Sequence, residues 1–209
     1  MQFPISIEKC ERGLHMKDLL ILLADGFEDI EALTVADYLR RAELDVDLVS
    51  ISDNNVVKSA HGVKVLADKT FIEINFEDYK GLYIPGGLPG ATNLAKDEKI
   101  VEAAEMYLQE DKYVAAICAG PIVLDKAELL KNKKFTCFPG YEKNLSVQDR
   151  LDEPVVFDEN MITAMGPSFA QVLAFELIKL FKGEGVAEEV KKSTLFVNLV
   201  DFIKEGKIK

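Results

Sequence analysis

Short apolar runs alternate with amphipathic segments along this chain, which predicts an α/β fold: a doubly wound, mostly parallel sheet with helices on both faces, in three layers. The strand candidates are apolar at nearly every position, as is typical of parallel strands buried on both faces. Several of them end in glycine-containing turns that lead into helical segments. A chain of 209 residues, 48% of them apolar, suits one domain that buries roughly 70% of its unfolded surface.

The elements follow in order from local patterns. The run DLLILLA at 18–24 predicts the first strand, and the spacing of apolar residues over 27–43 predicts the helix after it. Residues 59–65, SAHGVKV, are expected to form a hairpin. Further strands are expected at 46–52, 81–87, 113–117, 134–138, 154–160 and 161–165. Further helices are expected at 97–111, 119–131, 168–182 and 186–204.

The two ends of the chain differ in pattern. Periodic hydrophobicity begins only at Met16, so we expect residues 1–15 to be an N-terminal extension that need not be ordered. Residues 16–209 are then expected to form a single domain. The first residues lack a basic start followed by an apolar core, and no apolar run approaches the roughly 18 residues that span a bilayer. We therefore expect a cytoplasmic protein.

Charge and cysteine content narrow the function classes. The net charge is −11, from 36 acidic and 25 basic side chains, and it repels phosphate backbones and anionic lipids. We expect neither nucleic acid nor membrane as a partner. Three cysteines are an odd number without a framework spacing, so free thiols in a reducing compartment are expected. Cys137 alternates with apolar neighbours and is expected in the core.

Three strand ends can converge on one crevice, because a parallel sheet collects its ligands at the carboxyl ends of its strands, near the switch point. They are LADGFEDIE, IPGGLPG and ICAGP, at 23–31, 84–90 and 117–121. In the third, Cys118 sits at a strand-to-helix turn, where unpaired N–H groups favour a thiolate. Gly120 and Pro121 suit a tight turn and a first helical residue. Alone, this segment fits a plain buried cysteine as well.

The acidic cluster Glu28, Asp29 and Glu31 follows the first strand. Carboxylates at a helix start have an ordinary capping role, which we expect of Asp29 above all. Glu31 lies deeper and can reach the Cys118 sulfur. A protonated carboxyl would donate a hydrogen bond to the thiolate, whereas an ionised one would oppose its charge. The N–H groups of Gly87, Leu88 and Ala119 would form an anion pocket, with a simple glycine turn as the alternative for PGG.

Five segments together resemble the ThiJ/PfpI superfamily, in the branch of the parkinsonism-associated protein deglycase and its bacterial relatives. They are DGFEDIEALTVADYLRRA, IPGGLPGATNLAKDEKIVE, VAAICAGP, KFTCFP and GPSFAQVLAFELI, and the likeness extends from about residue 17 to 196. The resemblance implies a flavodoxin-like sheet, a homodimer and a nucleophile elbow. It implies Cys118 as the nucleophile or redox-sensitive thiol and Glu31 as its carboxylic partner. Supporting positions are Gly86, Gly87, Ala119, Gly120, Pro121 and Glu28, the last near the dimer contact.

The chain also departs from the family pattern. Ala119 and Phe138 stand where different relatives carry histidine, and GPSFA replaces the more usual GPGTA, which alters the rim at Ser168 and Phe169. His15 lies in the extension and His61 in the expected hairpin, where a turn or surface role is the simpler interpretation. Without a histidine base, a Cys-His hydrolytic triad is not expected. We expect no cofactor and no metal.

These residues support three functions. In the first, Cys118 adds to a small reactive carbonyl, such as a 2-oxoaldehyde or its early adducts, while Glu31 shuttles the proton, as in a glyoxalase or deglycase. In the second, Cys118 is a stress sensor that an oxidant converts to a sulfinate, in a protein that protects or binds partners without turnover. The third, an intracellular peptidase or amidase, is disfavoured by the missing histidines.

Overall fold

A seven-stranded sheet forms the middle layer of the computed structural model, which describes residues 16–208. Its strand order is β5-β2-β1-β6-β7-β9-β8, and every neighbouring pair is parallel except β8 and β9. A separate antiparallel hairpin pairs β3 with β4. In chain order the strands are β1 (Leu19–Leu23), β2 (Val46–Ser50), β3 (Val56–Lys58), β4 (Lys64–Leu66), β5 (Lys69–Thr70), β6 (Gly81–Ile84), β7 (Tyr113–Ile117), β8 (Val155–Asp158) and β9 (Met161–Ala164).

Helices cover both faces of this sheet. They are α1 (Asp29–Arg41), α2 (Gly90–Leu94), α3 (Glu98–Gln109), α4 (Pro121–Lys126), α5 (Ala170–Lys182), α6 (Glu184–Ser193) and α7 (Phe196–Lys204). On β1, Leu19 and Ile21 pack with α1, α5 and α6, whereas Leu20 and Leu22 pack with α3 and α4. All five residues of β1 are buried. The doubly wound three-layer fold is therefore confirmed. No helix in residues 16–208 is long and apolar enough to cross a membrane.

The chain reverses its direction of winding between β1 and β6. From β1 it moves outward to β2, and after the hairpin it returns to the other side of β1 as β6, followed by β7. The carboxyl ends of β1 and β6 thus flank the switch point, where open parallel sheets hold their ligands. The three strand ends singled out in the sequence lie on adjacent strands at this edge.

Most of the expected elements are present, and the hairpin around His61 is confirmed. The strand expected at 134–138 is wrong: residues 135–137 are buried, but the segment lies outside the sheet ladders. The backbone N–H of Thr136 donates to Thr163 Oγ1 at 2.9 Å, so a side chain takes the place of a strand partner. The helix expected at 119–131 ends at Lys126. The one expected at 186–204 is divided at Leu195, whose φ is +59°.

Candidate active site

Cys118 follows β7 directly and adopts a left-handed backbone conformation, with φ of +60°. This conformation costs an L-residue about 1–2 kcal/mol, so the surroundings must enforce it. The Cys118 N–H donates to Ala164 O at 3.0 Å, and the Cys118 carbonyl accepts from the N–H of Phe138 at 3.1 Å. These two bonds clamp the peptide on both sides. The sharp turn that the sequence predicted before α4 is present, and the side chain is half-buried.

Gly120 and Pro121 complete the elbow. A Cβ at Gly120 would lie 2.5 Å from Ile84 O and 2.9 Å from Ile117 O, so a larger residue would push the turn off the sheet. Pro121 occupies the first turn of α4, where its missing N–H removes no helical hydrogen bond. Both residues therefore position Cys118 through the backbone.

Glu31 lies in the first turn of α1 and is completely buried. Its Oε2 accepts a 2.8 Å hydrogen bond from the N–H of Gly86, and the Gly86 carbonyl accepts from the N–H of Glu28 at 3.1 Å. The loop after β6 is thereby fixed to the start of α1. The hydroxyl of Tyr83, a residue that the sequence did not single out, donates to Glu31 O at 2.9 Å. Its only sequence signal was a tyrosine inside an apolar strand.

Gly86 separates the carboxyl from the thiol. A Cβ at this position would lie 2.5 Å from Glu31 Oε2 and 2.8 Å from Cys118 Cβ. A residue with a side chain would therefore meet both groups at once. The other carboxyl oxygen, Oε1, is buried without a hydrogen bond of regular geometry in the described part of the chain. The thiol faces the same carboxyl closely enough that each group shifts the pKa of the other.

Burial dominates the protonation of this pair. It raises the pKa of the Glu31 carboxyl to about 7 against the opposing contact with Cys118, and the negative charge of Glu28 raises it further. Burial also raises the pKa of the Cys118 thiol, and the charge of Glu31 adds to that rise. The sequence expectation that the turn itself would favour the thiolate is therefore corrected. One negative charge fits between the two groups, and a second is strongly opposed.

Two backbone N–H groups, those of Gly87 and Ala119, influence the Cys118 thiol. Both N–H groups lower the pKa of this thiol, although less than burial raises it. Gly87 has φ of +87°, and a Cβ there would lie 2.4 Å from the backbone N of Glu28. A glycine at this position allows the loop to approach α1 and to aim its N–H at the sulfur.

Glu28, and not Asp29, caps α1. The Glu28 side chain accepts from the N–H of Glu31 at 2.8 Å. Asp29 Oδ2 instead lies 2.8 Å from His61 Nδ1 in the turn of the β3–β4 hairpin, and this hydrogen bond raises the pKa of His61. Asp29 is therefore not the cap that was expected, because its carboxylate pairs with His61, but it lies in the first turn of α1, where its negative charge is favourable to the helix dipole.

Glu28, Asp29 and His61 also offer ligand atoms within 4.8 Å of one another, a spacing that a metal ion could use. The cap on α1 and the Asp29–His61 pair account for this clustering. The other thiol of the described residues, Cys137, is fully buried as expected, and burial raises its pKa to about 11. Cys10 and His15 lie outside the described residues.

An apolar hollow of about 220 Å³ lies beside the elbow, and the sequence did not predict it as a unit. Phe138 and Phe169, both noted as departures from the family pattern, line it from different segments. Met165 lines it as well. The departures from the family pattern at Phe138 and Phe169 were visible in the sequence. That the two residues lie close together depends on the fold.

The sequence signature of the DJ-1/PfpI family matches residues 17–180. Protein DJ-1 homolog B of Arabidopsis thaliana is 33% identical over 178 residues, which are 85% of this chain and 41% of the relative. This chain spans less than half of the two Arabidopsis relatives, 41% and 45%. A protein of Pyrococcus abyssi named a deglycase is 34% identical over 167 residues, covering 78% of this chain and 99% of the relative.

Two further likenesses span nearly whole relatives. A protein of Schizosaccharomyces pombe named glutathione-independent glyoxalase DJ-1 is 30% identical over 194 residues, covering 88% of this chain and 98% of the relative. The solved structure of oxidised Toxoplasma gondii DJ-1 superposes with a TM-score of 0.81 at 30% identity, covering 86% of this chain and 98% of that one. Together with the flavodoxin-like order of the sheet, these findings establish that the chain belongs to the DJ-1/PfpI family.

Proposed function

We propose that the Cys118 thiolate attacks small reactive carbonyl compounds, with Glu31 as its proton partner, in a glyoxalase- or deglycase-like reaction. One observation carries the proposal: the buried Glu31 carboxyl and the Cys118 thiol meet across Gly86 at the switch point of the sheet. The names of the Pyrococcus and Schizosaccharomyces relatives support the choice of chemistry. The substrate class is a 2-oxoaldehyde or its early adduct on a thiol or amine.

The shared proton gives each group a role. When the single proton of the pair rests on Glu31, the sulfur is anionic and the carboxyl is an acid. The thiolate then forms an S–C bond with the aldehyde carbon, and the C=O electron pair moves to oxygen, which takes the proton from Glu31. The carboxylate left on Glu31 can remove the proton from that carbon and return it to the neighbouring carbonyl carbon. The hydroxyl proton of the first carbon passes to the oxygen of the second, which leaves a thioester beside a hydroxyl group. Water then releases a 2-hydroxy acid from the resulting thioester.

The pocket environment is consistent with this sequence of steps. The N–H groups of Gly87 and Ala119 lower the pKa of the Cys118 thiol, so they offset part of the cost of burying its anion before a substrate enters. No external oxidant is required, because the aldehyde carbon is oxidised while the adjacent carbonyl carbon is reduced.

Purified protein should convert methylglyoxal to lactate, and three variants test which residues are responsible. Cys118→Ser should abolish turnover, and Glu31→Gln should lower kcat by about 10²–10⁴. Cys137→Ala removes the fully buried thiol and should leave turnover within a few-fold of wild type. Unchanged methylglyoxal consumption in Cys118→Ser would refute the proposal.

A redox role for Cys118 is the second candidate. The N–H donors and a neutral Glu31 would also stabilise a sulfinate, and a solved relative is an oxidised DJ-1. Two equivalents of peroxide would each transfer one oxygen to the sulfur and leave as water. Mass spectrometry after mild peroxide should then find two added oxygens on Cys118, with Cys10 and Cys137 spared. Equal oxidation of all three cysteines would contradict a sensor.

A homodimer in the cytoplasm is part of the same proposal. The family resemblance supports it, and Glu28, at the start of α1, is the residue expected near the contact. Light scattering on the purified chain should give twice the mass of 23.3 kDa. A monomer at micromolar concentration would refute the homodimer and leave the proposed chemistry of Cys118 standing.

A further inference from the structure

The apolar hollow beside the elbow has walls from two separate segments. Phe138 and Pro139 form one wall, and the segment 165–169 forms the other. Its volume is about 220 Å³, and its lining carries no charged side chain. Phe138 remains 49% exposed. An aromatic ring half open to water gains free energy when an apolar group covers it.

Backbone hydrogen bonds connect Cys118 to Phe138 in one wall and to Ala164, the residue before the other wall. The N–H of Phe138 donates to the Cys118 carbonyl at 3.1 Å. The N–H of Cys118 donates to Ala164 O at 3.0 Å, one residue before the other wall begins at Met165. Cys118 is therefore one backbone hydrogen bond away from the first wall, and one hydrogen bond and one peptide unit away from the second.

The Phe138 ring is held in place by the opposite wall. A Cβ at Gly166 would lie 3.2 Å from Phe138 Cδ2, so the ring rests on the glycine backbone. This contact places the Phe138 ring against the opposite wall of the hollow. A pocket for a whole drug-sized ligand is about 300–1,000 Å³, so this hollow fits a substituent better than a complete molecule.

We propose that this hollow binds the apolar substituent of the compound attacked by Cys118, and that Phe138 and Phe169 determine this specificity. The preferred class is then aryl or branched-alkyl 2-oxoaldehydes over the smallest members. A charged substituent would lose its hydration in the hollow without finding a partner. The carbonyl chemistry rests on the function proposed above, whereas the preference for apolar electrophiles does not.

Labelling with two matched electrophiles measures the preference without turnover. N-phenylmaleimide and N-methylmaleimide both add to a thiolate and differ in one substituent. Their rates at Cys118 are measured on the full chain by peptide mass spectrometry, and the phenyl-to-methyl ratio is divided by that of N-acetylcysteine. We expect a corrected ratio of about ten in the wild type, as one ring-sized apolar group provides in a matching pocket.

Phe138→Ala and Phe169→Ala should each bring the corrected ratio close to one, because each removes an apolar wall that the phenyl group would contact. The matched control is Phe202→Ala on α7, which removes a phenylalanine of similar exposure, 43%, outside the hollow. This control should keep the wild-type ratio. Two separate Phe variants keep the test valid if one of them does not fold.

A corrected ratio of one in the wild type would overturn the inference, as would an unchanged ratio in both folded Phe variants. Absence of labelling at Cys118 by either reagent would overturn it too. Failure of the proposed function has a different signature: no methylglyoxal turnover, but an intact phenyl preference at Cys118. Turnover without a phenyl preference would refute the role of the hollow in specificity and leave the proposed function standing.

Discussion

The charge on Cys118 depends on a proton that it shares with Glu31. A helix N-terminus stabilises a nearby anion by about 0.3–1 kcal/mol at a surface, and burial can shift a pKa by several pH units. The helix after Cys118 has six residues, and the thiol lies in a buried site against an acidic partner. Burial therefore decides the protonation of the pair, and the N–H groups of Gly87 and Ala119 reduce its effect only in part.

The pH dependence of Cys118 alkylation should report this pair. Below pH 7 both groups hold their protons, and as the pH rises past about 7 the first proton leaves the pair. After this step the remaining proton lies mainly on the sulfur, and the thiolate belongs to the minor form of the pair in which Glu31 holds the proton. This form exists only after the first proton has left, so the rate with iodoacetamide should rise with an inflection near pH 7 and then level off. Glu31→Gln should lose this inflection, because the remaining thiol titrates alone.

The same profile on Cys118→Ala checks that the measured label belongs to this residue. An inflection near pH 7 that persists in Glu31→Gln would show that another group controls the thiol.

Gly86→Ala should damage the site and the fold together. Its Cβ would lie 2.5 Å from Glu31 Oε2 and 2.8 Å from Cys118 Cβ, so two buried side chains must move. We expect a loss of about 1–3 kcal/mol in the free energy of unfolding, measured by urea denaturation. The control is Gly185→Ala in α6, where a Cβ meets nothing within 4 Å; it should stabilise by about 0.5–1 kcal/mol. Equal effects of the two substitutions would contradict the steric argument.

Secondary-structure elements were predictable where one local pattern dominates. The apolar run of β1 and the helical spacing of α3 agree with the structure to within two residues at each end. The segment 134–138 has the same apolar character as a strand, but the place beside β9 is already taken by β7 and β8. Its burial was therefore predictable from composition, whereas its pairing depended on which segments reach the sheet.

The junction between α6 and α7 was not predictable from a local pattern, because no residue type marks the point where the expected helix is interrupted. Leu195 adopts φ of +59° and is 65% exposed, so it carries the strain of a left-handed residue with little packing in return. Neither glycine nor proline marks the position.

Leu195→Gly should consequently raise the free energy of unfolding by about 0.5–1 kcal/mol, since glycine adopts positive φ freely. The control is Leu199→Gly within α7, which is 40% exposed. It should destabilise by about 1 kcal/mol, the cost of glycine inside a helix. Thermal unfolding followed by circular dichroism would compare them, and destabilisation by both substitutions would refute the assignment of strain to Leu195.

At the scale of the molecule, the ionisation of Glu31 affects the free energy of unfolding. Glu31 is buried at the centre of the fold, held by Gly86 and touching Cys118, so its ionisation acts on the folded state as a whole. Folding raises the pKa of its carboxyl from 4.5 to about 7. Between these values the folded state binds more protons than the unfolded state, and stability must fall as the pH rises.

Glu31→Gln should remove this loss of folding stability at rising pH, because glutamine does not ionise. The variant and the wild type should differ little near pH 4.5, and the variant should become more stable through pH 7, by up to about 3 kcal/mol. Urea denaturation at several pH values would measure the difference. Glu73→Gln is the opposite control, because hydrogen bonds with Thr70 lower the pKa of Glu73; its contribution is present at neutral pH and is lost on acidification. A pH-independent difference for Glu31→Gln would exclude a buried titrating carboxyl.

The sequence by itself determined the layers of the fold and pointed to residues that the structure brings together in the candidate site. Alternating apolar runs can be buried only between two helical layers, and the motifs around Glu31, Gly86 and Cys118 are specific enough to be recognised together. The tertiary structure decided the protonation of the pair and the hollow at Phe138. Both depend on burial and on contacts between segments far apart in the chain, and no local pattern encodes the distance between two such segments.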